Sequence, residues 1–146
     1  MPNSIKNGDN KMSDMEYINV ISLFLMGLTA TIRGFFWIIS SEEQSQDSPL
    51  YKSMHEMVNL TFWGVPFFIG GLCLIIATIA LPYRKVNNIF SVAIIIGGII
   101  CAIFFFIITL AGMNNALNWL SPATFFVMSM GYGGYAYFGV LFYRKR

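Results

Sequence analysis

NIFSVAIIIGGIICAIFFFIITLA, residues 88–111, decides the fold of this chain. It contains no Asp, Glu, Lys, Arg or His, and it lies inside a charge-free run that extends from residue 86 to residue 143. A second charge-free run covers residues 57–83. With a rise of about 1.5 Å per residue, roughly 20 apolar residues span the hydrocarbon layer of a bilayer. A chain of 146 residues that is 56% hydrophobic and only 11% charged has far more apolar surface than a soluble core of that size can cover, so lipid is its natural solvent.

Outward from this stretch, four segments are long enough to cross: residues 17–40, 59–81, 88–111 and 122–143. The expected fold class is all-α, a polytopic membrane bundle of four transmembrane helices. Residues 1–16 form a polar tail, 17–146 form the membrane domain, and 41–58 form the one sizeable loop. Pro82 stops the second span, because its ring removes a donor from the helical ladder. Ser121 and Pro122 read as the N-cap and first helical position of the fourth span.

The cations set the expected orientation. Lys6, Lys11, Arg84, Lys85, Arg144, Lys145 and Arg146 all fall on one side of this topology. Glu42, Glu43, Asp47 and Glu56 fall on the other, against a single Lys52. The positive-inside rule makes the first side cytoplasmic, with both termini there, in a multi-pass protein of the cell membrane. Aromatic residues favour the headgroup zone and agree with this frame. Tyr17, Tyr83 and Tyr143 fall at the inner boundary and Trp37, Trp63 and Trp119 at the outer one, as expected interface anchors.

The polar tail has no apolar core of the signal-peptide type, and the first span is too long for one, so no cleaved signal is expected. In the outer loop, Ser48-Pro49 opens a stretch in which Leu50, Tyr51, Met54, Met57 and Val58 recur at helical spacing, while Lys52, Ser53, His55 and Glu56 take the other face. This predicts a short amphipathic helix lying on the outer membrane surface and leading into the second span. Gly64 and Pro66 predict a kink soon after that span begins.

Arg33 is the one formal charge inside a span. It lies seven residues before Ser40, about 10 Å below the outer boundary. Two readings follow: a buried cation that pairs with Glu56, Glu42 or Glu43 or lines a polar cavity, or a side chain that snorkels to the lipid phosphates. His55 beside Glu56 suggests proton handling or a metal. A lone histidine without further His or Cys on that side cannot complete a zinc shell, so a solvated helix face is the simpler account. Cys73 and Cys101 fall within spans at different depths, which favours neither a disulfide nor a metal site. No cofactor is expected.

Ser129-Met130-Gly131-Tyr132-Gly133 superficially resembles a potassium-channel filter, but it lacks the preceding Thr and Val and leaves only 13 residues after Gly133. Close helix packing explains these residues better. Ser129 and Gly133, Ala93 with Gly97 and Cys101, Gly98 and Ala102, and Cys73 and Ala77 are small residues four apart. Such faces serve contacts within one bundle or between copies.

The net charge of +2 gives no reason to expect nucleic acid, and no internal repeat suggests an inverted-repeat transporter. The spans offer no nucleophile paired with a base, so an enzyme is not expected. Two functional classes remain. One is an accessory membrane protein of the bacterial or phage kind, holin-like, superinfection-excluding or immunity-conferring, whose partner besides the lipid bilayer is a second copy or another membrane protein. The other is a small oligomeric transporter or channel for an ion or small molecule, with Arg33 as a gate or anion site.

Overall fold

A computed structural model describes residues 14–39, 49–83, 88–115 and 118–145 of the chain. Over these it is helical: α1 (Asp14–Ile39), α2 (Pro49–Met57), α3 (Leu60–Ala80), a 3₁₀ turn (Leu81–Tyr83), α4 (Ile89–Asn115) and α5 (Leu120–Arg144). Among the described residues, α1, α3, α4 and α5 are long and apolar enough to cross a membrane. The molecule is a small multi-pass membrane protein.

The helix ends follow local chemistry. The Asn59 side-chain oxygen accepts from the Thr61 N–H at 2.9 Å and starts α3, after a break at Val58 that separates it from α2. α3 remains one helix through Pro66. α5 begins earlier than Ser121-Pro122 implies: its first residue is Leu120, the N-cap is Trp119 without a side-chain capping bond, and the Ser121 N–H donates to the Asn118 side-chain oxygen at 3.4 Å. α4 outruns its expected end at Ala111 and reaches Asn115; within this added stretch Pro122 of α5 lies against Gly112, with 3.3 Å between Pro122 Cβ and a Cβ built at Gly112.

Glycine contacts at three helix pairs set the arrangement of the long helices. A Cβ at Gly34 would fall 2.7 Å from the Gly64 carbonyl oxygen, and one at Gly71 2.7 Å from that of Gly27, so α1 and α3 touch backbone to backbone and run antiparallel. A Cβ at Gly70 would meet Cys101, and one at Gly97 would fall 2.6 Å from the Gly70 carbonyl oxygen and 3.0 Å from Cys73 Cβ, joining α3 to α4 in the same sense. Gly98 packs on Tyr132 and Ala136, and Gly139 on Ile94 and Ile95, joining α4 to α5. The path is up, down, up, down, and it brings both ends of the described chain to the same end of the bundle. Such close approach is what drives helix association where lipid removes the hydrophobic drive between helices.

The core is stacked along the axis: Leu23, Ala30, Trp37, Phe67, Leu74, Ile94, Cys101, Phe105, Ile108 and Tyr132 are buried. Phe105 is its hub, 4.6 Å from the Phe67 ring and 5.2 Å from Tyr132. Ile18, Ile21, Leu25, Ile32, Phe35, Ile76, Ile103 and Val127 instead face outward, an apolar surface that only a hydrocarbon solvent tolerates. Thr29, Thr31, Thr78, Thr109 and Thr124 each donate to the carbonyl four residues back, which leaves those hydroxyls satisfied without water.

The amphipathic α2 does not lie free on the surface. Leu50 and Met54 are buried, and Tyr51 packs its ring edge on Trp37 at 5.8 Å, so α2 caps one end of the bundle. Trp37 is accordingly no interface anchor. It is 1% exposed and wedged between Tyr51 and Phe67, because the cap gives it an interior site.

Candidate functional site

Arg33 stands on the inward stripe of α1. Leu23, Met26, Ala30, Arg33 and Trp37 recur at alternating steps of three and four, and Leu23, Ala30 and Trp37 are fully buried. The guanidinium therefore enters the bundle instead of snorkelling along its outside. Its Cζ lies 4.9 Å from the centre of the Phe125 ring, 5.4 Å from Phe105 and 5.8 Å from Trp37, so rings from α5, α4 and α1 surround it.

The magnitudes explain how the charge is held. An arginine at mid-bilayer costs about 2.5–3.5 kcal/mol on insertion scales. Each ring face returns about 0.5–1 kcal/mol, and up to about 2 when desolvated. Three rings thus offset the insertion cost, but they do so through their faces. The guanidinium donors lie in its own plane and need acceptors there. Nη1 is buried with no hydrogen-bond partner among the described residues.

No described carboxylate supplies that acceptor. Glu56 is exposed and makes no ion pair with Arg33, and Glu42 and Glu43 lie outside the described residues, as do Lys6, Lys11, Arg84, Lys85 and Asp47. Beside the cation runs a groove of about 360 Å³ lined by Thr29, Ile32, Arg33, Phe36, Trp37 and Tyr51. Ile32 and Phe36 are about half exposed, so the groove opens on the lipid-facing side of α1.

The other expected site residues do not converge on Arg33. His55 is half-buried with Nδ1 enclosed and unpartnered, whereas Glu56 faces outward; the two diverge from α2. Among the described residues, no group of three His, Cys, Asp or Glu side chains could hold a metal. Cys73 and Cys101 are free thiols. Trp63 is half-buried against Phe104, Trp119 is exposed, and Tyr17 and Tyr143 face outward; the Tyr83 side chain is outside the described set.

The filter-like string is ordinary mid-helix in α5, and its Tyr132 is buried, donating to the Met26 carbonyl at 2.8 Å. Together with a 2.6 Å bond between Ser22 and Tyr135, this closes the seam between α1 and α5 below Arg33. Ser129 donates to the Ala102 carbonyl at 2.8 Å across to α4.

The small residues divide into two sets. Gly97, Gly98, Cys101, Ala102 and Ser129 meet neighbouring helices of the same bundle, with Ala93 partly buried alongside. A Cβ at Gly133 would meet only Ala102 Cβ at 4.0 Å, one at Gly131 only the end of the Met26 side chain at 3.3 Å, and one at Gly134 nothing within 4 Å. The heptad pairs Gly27/Gly34 and Gly64/Gly71, which seat α1 on α3, escape a search at four-residue spacing; a search at two full turns finds them.

Comparison with protein-family models, with curated proteins and with solved structures found no match.

Proposed function

We propose that this chain is a non-enzymatic accessory membrane protein that acts by assembly, through contact of its last helix with another membrane-spanning helix. The observation that carries the reading is the free face of α5. Val127, Gly131, Gly134 and Phe138 follow at steps of four, three and four; Val127 and Phe138 are exposed, and the space over Gly134 is open. A glycine that costs helix propensity and meets nothing within its own bundle is suited to receive a partner's backbone. The partner is a second copy or another integral membrane protein, and the cation distribution puts both termini in the cytoplasm.

The packed interior supports contact over conduction. Among the described residues, the buried side chains classed as polar are Ser91 and Thr109, and Thr109 donates to the Phe105 carbonyl. A hydrated path through one bundle needs more polar lining than that. Holin-like, superinfection-exclusion and immunity roles are each compatible with such a contact.

The test is controlled expression of the parent chain and of Gly134→Leu in a bacterium, recording growth and membrane potential. The expected result is that any effect of the parent, whether delayed loss of potential or protection from an invading phage or peptide, disappears in Gly134→Leu at equal membrane level. Loss of potential that is equally strong in the variant would show that the effect does not depend on this face of α5 and would overturn the reading.

A further inference from the structure

We propose that the groove beside Arg33 is a binding site for an anionic phospholipid, with the headgroup phosphate on the guanidinium and an acyl chain along Ile32 and Phe36. The site stands apart from the α5 contact face and does not depend on it. Three observations point to this ligand. The first is the cation itself: Arg33 lines the groove, its guanidinium rests against Phe105, Phe125 and Trp37, and no described carboxylate is paired with it. Rings satisfy the positive charge but not the planar fork of donors, and phosphate oxygens match that fork.

The second is the lining. Ile32, Phe36 and Trp37 are apolar, the Thr29 hydroxyl already donates to the Leu25 carbonyl, and Tyr51 adds a ring and a hydroxyl, so Arg33 is the one formal charge on a wall that is otherwise mostly apolar. A free phosphate ion gains nothing from such a wall; a lipid uses both parts. The third is position. The groove opens on the lipid-facing side of α1 within two turns of its end at Ile39, beneath the α2 cap. Lipid reaches it laterally from the leaflet on the α2 side, without passing through the bundle.

The test is native mass spectrometry of the purified full chain in detergent, titrated in turn with dioleoyl phosphatidylglycerol, dioleoyl phosphatidylcholine and inorganic phosphate. The expected result is a one-to-one phosphatidylglycerol adduct that survives collisional removal of detergent. Phosphatidylcholine should be retained several-fold less and inorganic phosphate not at all. Arg33→Gln should reduce phosphatidylglycerol retention at least tenfold, and Arg33→Lys should fall between the two. Thr29→Phe, which fills the groove and leaves the cation in place, should lose the lipid as well, and it decides the matter should Arg33→Gln fail to fold. Equal retention of the two lipids, undiminished binding in Arg33→Gln or Thr29→Phe, or an adduct with inorganic phosphate alone would overturn the proposal.

Discussion

Arg33 is where residue-level energetics and use diverge. A buried cation without a full set of acceptors contributes little to folding, and replacing such groups by apolar side chains of similar volume is often neutral or stabilising by about 1–4 kcal/mol. Arg33→Met should therefore leave the melting temperature in lipid-free detergent unchanged or raise it. In thermal scans with added phosphatidylglycerol the parent should gain stability and Arg33→Met should not. Trp37 behaves in the opposite way. Wedged between Tyr51 and Phe67, it should cost about 3–5 kcal/mol when cut to alanine, read as a lower unfolding midpoint. Both residues were visible in the sequence, but their settings were not. Rules for lone charges and for tryptophans near span ends describe helices facing lipid. The stripe Leu23, Met26, Ala30, Arg33, Trp37 turns both residues inward, and only the three-four spacing of their neighbours carries that information.

Helices in this protein are told apart by what their glycines meet. Gly34, Gly71 and Gly98 face backbone atoms of the next helix, so Leu at any of them should force helices apart and cost about 1–3 kcal/mol or more, seen as poor extraction or a lowered melting temperature. Gly134→Leu meets open space and should fold as well as the parent, with a slight gain in helix propensity. At the start of α3, Asn59→Ala removes the acceptor for the Thr61 N–H and should cost about 1 kcal/mol. The long helices were legible because hydropathy and length alone mark a span, and their ends fall within a few residues of expectation. The role of α2 was less so. Its amphipathic pattern gives a helix with one apolar face, but a membrane surface and the mouth of a bundle ask for the same pattern, and only the burial of Leu50 and Met54 decides between them.

At the scale of the whole molecule, four antiparallel helices put the two ends of the described chain on one side and α2 on the other. In the orientation expected from the excess of Lys and Arg on the terminal side, α2 would face outward. A cysteine placed at the exposed Lys52, with Cys73 and Cys101 replaced by alanine, should react with an impermeant maleimide in intact cells; reaction only after lysis would reverse the orientation. Function was less legible than topology because it resides in surfaces. Hydropathy reports that Val127, Gly131, Gly134 and Phe138 can face lipid, and only the packing shows that, among the described residues, the space over Gly134 is open while Gly131 meets no more than the end of the Met26 side chain. The most direct measurement is photocrosslinking in native membranes from a benzophenone side chain placed at Val127, with the same probe at Ile103 on α4 for comparison. A discrete protein adduct is expected from position 127, absent at 103 and lost in Gly134→Leu. Adducts with lipid alone from both positions, or a protein adduct unchanged by Gly134→Leu, would contradict it.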